Sequence, residues 1–133
     1  MYMSHAIEHL PNGLDVLNLL IKKLKKDGRL YIEFPSTNSL SLPTARGTLN
    51  FSDDPAHIKI YDIKEISNEL MKNNFRIIKA GIAKDYLRIM LFFISLPYQF
   101  YSLIRYKKLT VKYGLWDICN FSHFVYAKKN SDL

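Results

Sequence analysis

The fold is decided by the stretch Ser4–Ser36, which has the sequence SHAIEHLPNGLDVLNLLIKKLKKDGRLYIEFPS. In its middle, apolar residues recur every three or four positions, which predicts an amphipathic helix over residues 14–26. Gly28 follows this pattern and is the expected left-handed stop of the helix. The stretch therefore predicts a helix that ends in a tight glycine turn.

A strand is predicted directly after that turn. Residues 29–34 alternate between two faces and are rich in aromatic and β-branched side chains. A helix that leads through a tight turn into a strand indicates an α/β sheet. Ligands of such sheets bind beyond the carboxyl ends of the strands, so the residues after Pro35 are expected beside a site. We expect the long loop 36–61 to form an ordered lid there.

Three segments in this order resemble the second half of a class I S-adenosylmethionine (SAM)-dependent methyltransferase. They are SHAIEHLP at Ser4–Pro11, LKKDGRL at Leu24–Leu30, and Phe34–Pro35. In that family a fourth strand ends in the first segment, a helix follows, and the second segment leads into a fifth strand that ends near a proline. Asp27 replaces the first glycine of the usual pair.

The resemblance implies an α/β fold with a partial Rossmann-like sheet made of the family's C-terminal strands. Strands near 29–34, 75–82 and 121–128 are expected in one mixed sheet, with the last strand antiparallel and in the middle. Helices near 14–26 and 62–73 would cover the sheet. One edge of the strand 29–34 would be exposed unless the N-terminus or a partner covers it, and a homodimer through that edge is one expectation.

The resemblance covers only the C-terminal half of the family's domain. A complete domain has a glycine-rich loop that approaches the cofactor closely, and no G-x-G pattern occurs in these 133 residues. We therefore expect one partial methyltransferase-like domain, residues 1–133, that begins at the end of the fourth strand. Residues 83–114 are expected to be a helical insert within it.

The resemblance also assigns the site residues and the cofactor, SAM. Met3, Ser4 and His5 follow the fourth strand and would line the methionine end of the cofactor. His9 and His57 are the candidate catalytic bases or substrate contacts. Methyl transfer depends mainly on alignment, and a base helps when the acceptor is a hydroxyl.

A metal site is an alternative that the motif His5-x-x-Glu8-His9 raises. It resembles the E-x-x-E-H motif of some methyltransferases that bind a divalent cation near the acceptor hydroxyl, with His57 in the role of a distant fourth ligand. Three imidazoles and a carboxylate suit Mn, Fe or Zn better than Mg. In the other interpretation Glu8 and His9 only cap the following helix and hydrogen-bond to the lid, and no metal is bound.

The segment 86–108 is apolar and aromatic and ends in basic residues. Its uninterrupted apolar part is predicted to fall short of the roughly twenty residues that span a bilayer, and Pro97 is expected to break or kink it. It is either a helical hairpin that walls the substrate pocket or an interfacial helix that contacts a membrane. A small-molecule or lipid-like substrate would suit both.

The net charge of +7 permits anionic partners, but no specific nucleic-acid motif is present. Cys119 is the only cysteine and no secretory signal pattern occurs, so a cytoplasmic location is expected, with membrane association left open. Two functions are compatible with these observations. One is methyl transfer, in which this chain supplies the substrate-side half, and the other is a non-catalytic remnant that acts as an interaction or membrane-surface module.

Overall fold

The computed structural model describes residues 1–44, 49–106 and 113–131. Its strands are β1 (Tyr2–Ser4), β2 (Arg29–Pro35), β3 (Phe75–Ile82) and β4 (Ser122–Lys129). They form one sheet in the order β1-β2-β4-β3. β1 is parallel to β2, whereas β4 is antiparallel to both of its neighbours. The mixed sheet with the last strand in the middle confirms the predicted fold.

Within the described residues, four α-helices accompany the sheet: α1 (Gly13–Lys22), α2 (Ile63–Lys72), α3 (Tyr86–Tyr106) and α4 (Tyr113–Ile118). The core lies between the sheet and the apolar faces of α1 and α2. Leu17 of α1 and Leu70 of α2 are completely buried, as are Leu30 and Ile32 of β2. Burial of these apolar faces is the main stabilising contribution, and it fixes which side of each strand faces the helices.

The edge of β2 is covered by the N-terminal residues of the chain. Met3 pairs with Ile32, and the amide of Tyr31 donates to the carbonyl of Met1 at 3.0 Å. The short strand β1 therefore covers the edge of β2, so that edge does not need a partner chain to cover it. The homodimer stays a prediction.

The turn between α1 and β2 differs from the sequence prediction. α1 ends at Lys22, so the following residues up to 26 lie outside it. The left-handed residue is Asp27, with φ of 60°, and not Gly28. Gly28 is needed for another reason, because a Cβ there would lie 2.7 Å from the carbonyl oxygen of Lys25.

The segment predicted as a helical insert is helical in its described parts, where the long helix α3 is followed by the short helix α4, which packs against it. Pro97 lies inside α3 without ending it. With 21 residues, α3 is long and apolar enough to cross a membrane by length and composition, although its uninterrupted apolar part, between Arg88 and Arg105, is shorter. Arg105 lies in its last turn, whereas the basic residues Lys107, Lys108 and Lys112 lie outside the described residues, and the bounds 83–114 stay a prediction.

Candidate active site

The predicted site residues come from two loops that meet beyond the carboxyl ends of β1 and β2. Glu8 and His9 belong to a short 3-10 helix, Ile7–His9, that follows β1. The chain near His57 crosses this turn, because the amides of Ile58 and Lys59 both donate to the carbonyl of Glu8, at 2.8 and 3.2 Å. Backbone hydrogen bonds thus hold the two loops together.

His9 and His57 lie side by side, as their assignment to one site requires, with ring centroids 4.8 Å apart. Nδ1 of His9 lies 3.0 Å from the carbonyl of Ala56, and Nδ1 of His57 lies 2.6 Å from the carbonyl of Phe51. Since a carbonyl only accepts, each Nδ1 carries the proton in the neutral ring. The lone pair is then on Nε2 of both rings, which is available to accept a proton or to bind a cation.

Glu8 completes this group. It is completely buried, and one ligand atom from each of Glu8, His9 and His57 lies within 4.8 Å of the others. Oε1 of Glu8 accepts from Nδ1 of His5 at 3.2 Å, whereas Oε2 has no hydrogen-bond partner among the described residues. A buried carboxylate oxygen without a partner is costly in a folded protein. The free oxygen of Glu8 is therefore the most unusual feature of this site.

His5 lies on the other side of Glu8 and is held by more polar groups. Its Nε2 lies 3.1 Å from Oγ of Ser122 and 3.6 Å from Oε1 of Glu33. Burial alone would lower the pKa of His5, but the contacts with Glu33 and Glu8 outweigh it and raise the pKa to about 9. The contact with His5 in turn lowers the pKa of Glu33. His5 is thus an imidazolium at neutral pH.

The structure therefore separates His5 from the possible metal ligands. Both of its ring nitrogens carry protons in the charged form, so neither has a lone pair for a cation. The group that could hold a metal consists of Glu8, His9 and His57. Of the four residues in the metal alternative, three lie together and one does not.

Ser4 and His5, two of the three predicted cofactor residues, line a cavity of about 420 Å³ at the end of β1. Glu33, Arg88 and Trp116 also line it. Met3 instead lies partly buried against the core under the sheet. The cavity joins the end of the sheet to the first turn of α3 and to α4.

Sequence reasoning missed the partners of His5. Glu33 alternates with the core residues of β2, which already places it on the side of the sheet away from α1. Nothing in the sequence links Ser122 or Asp117 to this site. Asp117 is buried, and its Oδ1 accepts from the amide of Asp85 at 2.8 Å. Only the pairing of β4 with β2 brings these residues near His5.

The lid predicted over 36–61 is ordered in its described parts, which are residues 36–44 and 49–61. Asn50, which is buried, donates through Nδ2 to the carbonyls of Leu40 and Leu42 at 3.1 and 2.6 Å. Asp54 accepts from the amide of Ala56 at 2.9 Å, which is an Asx turn at the Asp-Pro sequence. These side-chain contacts position the carbonyls that hold His9 and His57.

A family model described as "Methyltransferase domain" matches residues 1–80, more than half of the chain. The chain belongs to the class I SAM-dependent methyltransferase family. The resemblance in the sequence and the family match therefore agree.

Two solved structures have a similar fold. A SAM-dependent methyltransferase from Archaeoglobus fulgidus has a TM-score of 0.58 and 20% identity, and the match covers 96% of this chain and 57% of that one. The [4+2]-cyclase SpnF has a TM-score of 0.53 and 11% identity, with 98% and 49% covered. This chain thus spans little more than half of the first protein and about half of the second. A comparison with curated proteins found no match.

The methyltransferase family implies SAM as the cofactor, and the described residues fit one end of it. The cavity at Ser4 and His5 offers the cationic groups of His5 and Arg88, which suit the carboxylate at the methionine end, and the ring of Trp116, which suits a cation. The glycine loop that approaches the rest of the cofactor has no counterpart in the sequence. The fit is therefore limited to the methionine end.

Proposed function

We propose that this chain forms the acceptor side of a SAM-dependent methyltransferase that acts on a small or lipid-like molecule. The observation that supports this most is the group Glu8, His9 and His57 beyond the carboxyl ends of β1 and β2. In open α/β sheets this is the position of the ligand. Two imidazoles that carry a lone pair on Nε2, with Nε2 of His57 3.8 Å from Oδ2 of Asp54, suit an acceptor that must lose a proton.

The proposed reaction has a simple balance of atoms. An acceptor hydroxyl gives its proton to Nε2 of His9 or His57 while its oxygen bonds to the methyl carbon. The bond between that carbon and the sulfonium sulfur breaks, and the sulfur leaves as a neutral thioether. The buried carboxylate of Glu8 stabilises the imidazolium that forms. Ser4 and His5 would position the methionine end of SAM.

Calorimetric titration with SAM, followed by transfer of labelled methyl groups to lipid and small-molecule extracts, tests this proposal. We expect saturable but weak SAM binding, because the glycine loop is missing, and we expect the His9→Asn/His57→Asn variant to lose label transfer while it keeps SAM binding. Asp15→Asn, which changes an exposed carboxylate on α1, is the matched control and should behave as the wild type. A folded chain that neither binds SAM nor transfers label would contradict the proposal and favour the non-catalytic module.

A divalent cation held by Glu8, His9 and His57 is a second possibility for the same site. The oxygen of Glu8 that lacks a partner favours it, since a cation would satisfy that oxygen and both Nε2 lone pairs. The two backbone carbonyls that bind the Nδ1 atoms are the outer contacts that orient ligating histidines in proteins. One carboxylate and two imidazoles suit Mn, Fe or Zn, and they leave positions for an acceptor oxygen.

Titration of the chain with Mn²⁺ and Zn²⁺ distinguishes a metal site from a metal-free base. If a metal binds, Glu8→Gln should weaken binding by at least about 10–100-fold, the loss typical even for residues that only orient a ligand. Asp15→Asn again serves as the control. Equal affinity of the wild type and Glu8→Gln for both ions would show that the group does not hold a metal, and the free oxygen of Glu8 would then need the acceptor as its partner.

A further inference from the structure

In the long helix α3 the polar residues face inwards and the large apolar residues face outwards, which is the reverse of an ordinary surface helix. Its two buried residues, Gln99 and Ser102, are polar. Its large apolar side chains are turned outwards: Ile94, Phe100 and Ile104 are 65%, 68% and 69% exposed. A surface helix of a globular protein normally shows the reverse pattern, with its apolar stripe against the core. The exposed face of α3 is therefore built for an apolar environment.

The polar residues of α3 form a narrow inward stripe. Ser95, Gln99 and Ser102 recur at helical spacing, and Nε2 of Gln99 donates to Oγ of Ser95 at 2.8 Å. Oγ of Ser95 in turn donates to the carbonyl of Phe92 at 2.8 Å. Because these groups are satisfied within the helix, the stripe needs little water. The exposed apolar residues occupy the rest of the helix circumference. This apolar surface is wider than the stripe of residues with which two helices pack together.

The charged residues near α3 indicate what kind of partner binds its apolar surface. No acidic residue occurs between Tyr86 and Trp116. Arg105 lies in the last turn of α3, whereas Arg88 in its first turn pairs with Asp85 at 3.2 Å. The sequence continues with further basic residues, Lys107, Lys108 and Lys112. Tyrosines are frequent along the helix, and tyrosine is enriched at the boundary between lipid and water. Apolar and aromatic residues flanked by basic ones match a membrane with anionic headgroups.

The strands that precede and follow α3 determine the orientation of this helix relative to the membrane. Although α3 is long enough to span, β3 precedes it and β4 follows it, and the two strands pair directly, with Ile82 opposite His123. The chain before and after α3 therefore lies on one side of any bilayer. A single crossing would place the two strands on opposite sides. α3 must then lie parallel to the membrane plane.

We propose that α3 is an in-plane anchor that binds the surface of an anionic lipid bilayer. Its outward face, with Ile94, Phe100 and Ile104, enters the apolar region, and Arg88 and Arg105 contact the headgroups. Arg88 also lines the cavity of His5, so the anchor places that cavity at the membrane surface. The anchor does not depend on the proposed methyl transfer, since a non-catalytic module could bind lipid in the same way.

Vesicle flotation with the 133-residue chain tests the anchor. The probes are vesicles of phosphatidylcholine alone and of phosphatidylcholine with phosphatidylglycerol. We expect binding to the anionic vesicles that weakens with salt, and a loss of about tenfold or more in the variant Ile94→Ser/Phe100→Ser/Ile104→Ser. The control is Leu19→Ser/Ile58→Ser/Met71→Ser, which removes three apolar side chains that are 62%, 57% and 52% exposed outside α3 and should bind like the wild type. Circular dichroism verifies that both variants are folded.

Four outcomes would overturn the proposal. The wild type could stay unbound with anionic vesicles at low salt, or the α3 variant could bind as well as the wild type. A wild type that is dimeric, fails to float and becomes monomeric in the α3 variant would show that a second copy covers the helix instead. Bound protein that resists extraction by alkaline carbonate would contradict the in-plane orientation, because an in-plane helix is released.

Discussion

Nε2 of His5 lies 3.6 Å from Oε1 of Glu33, while its Nδ1 lies 3.2 Å from Oε1 of Glu8. One imidazolium therefore bridges two carboxylates from different parts of the chain. The backbone of His5 makes this possible, since its φ of 48° turns the chain back after β1 and its amide donates to the carbonyl of Glu33 at 3.0 Å. A left-handed histidine is strained, and the two ion pairs help to offset that strain.

The first prediction concerns the protonation of His5. Its imidazole should titrate with a pKa of about 9, against an ordinary 6.5, because the contacts with Glu33 and Glu8 outweigh the effect of burial. In Glu33→Gln one of the two carboxylates is gone, so the pKa should fall towards the ordinary value. NMR titration of the histidine ring protons measures both. A wild-type His5 that titrates near 6.5 would show that the ion pairs do not form.

The second prediction is the pH dependence of stability. Because folding raises the pKa of His5, the stability it contributes is complete below about pH 6.5 and is lost as the pH rises through about 9. The pKa of Glu33 is lowered, so its contribution is present above about pH 4.5 and is lost on further acidification. Urea unfolding at a series of pH values should show a fall between pH 6.5 and 9 that His5→Gln removes. The same slope in both proteins would assign the fall to other groups.

The third prediction concerns the close packing at the start of α1. A Cβ on Gly13 would lie 2.8 Å from both the carbonyl oxygen and Cγ1 of Ile7, and it would also contact the hydroxyl of Tyr61. The backbone oxygen cannot move away easily, so Gly13→Ala should destabilise the fold by about 1–3 kcal/mol, although alanine is the better helix former. Urea unfolding measures this change. Asn68→Ala, on the exposed side of α2, is the control and should be neutral or slightly stabilising.

The fourth prediction concerns the lid. Asn50→Ala removes the hydrogen bonds to the carbonyls of Leu40 and Leu42 and leaves them without a side-chain donor. We expect a loss of about 1–3 kcal/mol and faster hydrogen exchange around His57, whose Nδ1 binds the neighbouring carbonyl of Phe51. Exchange measured by mass spectrometry checks this. Asn38→Ala, an exposed asparagine in the same segment, should exchange as the wild type does.

The sheet and its two covering helices could be predicted from the sequence because their apolar periodicities are local. The pairing of His9 with His57 also followed from a motif. The charge of His5 could not be predicted, since it depends on Glu33, which only the pairing of β1 with β2 brings near. The outward orientation of the apolar side chains of α3 could not be predicted either, because hydropathy does not tell whether an apolar helix faces a core or the outside.

The last prediction concerns Asp27, which takes the left-handed position that the family usually gives to a glycine. Its φ of 60° strains any residue with a Cβ, and its carboxylate pairs with Nζ of Lys128 at 2.7 Å. Exposed ion pairs of this kind contribute little, whereas relief of the backbone strain is a direct gain. Asp27→Gly should therefore raise the melting temperature by a few degrees, and Asp27→Ala, which loses the ion pair and keeps the strain, should lower it. Thermal melts at low and high salt separate the two contributions, because salt weakens only the ion pair. An Asp27→Gly variant that melts below the wild type at both salt concentrations would mean that the contact with Lys128 matters more than the backbone strain.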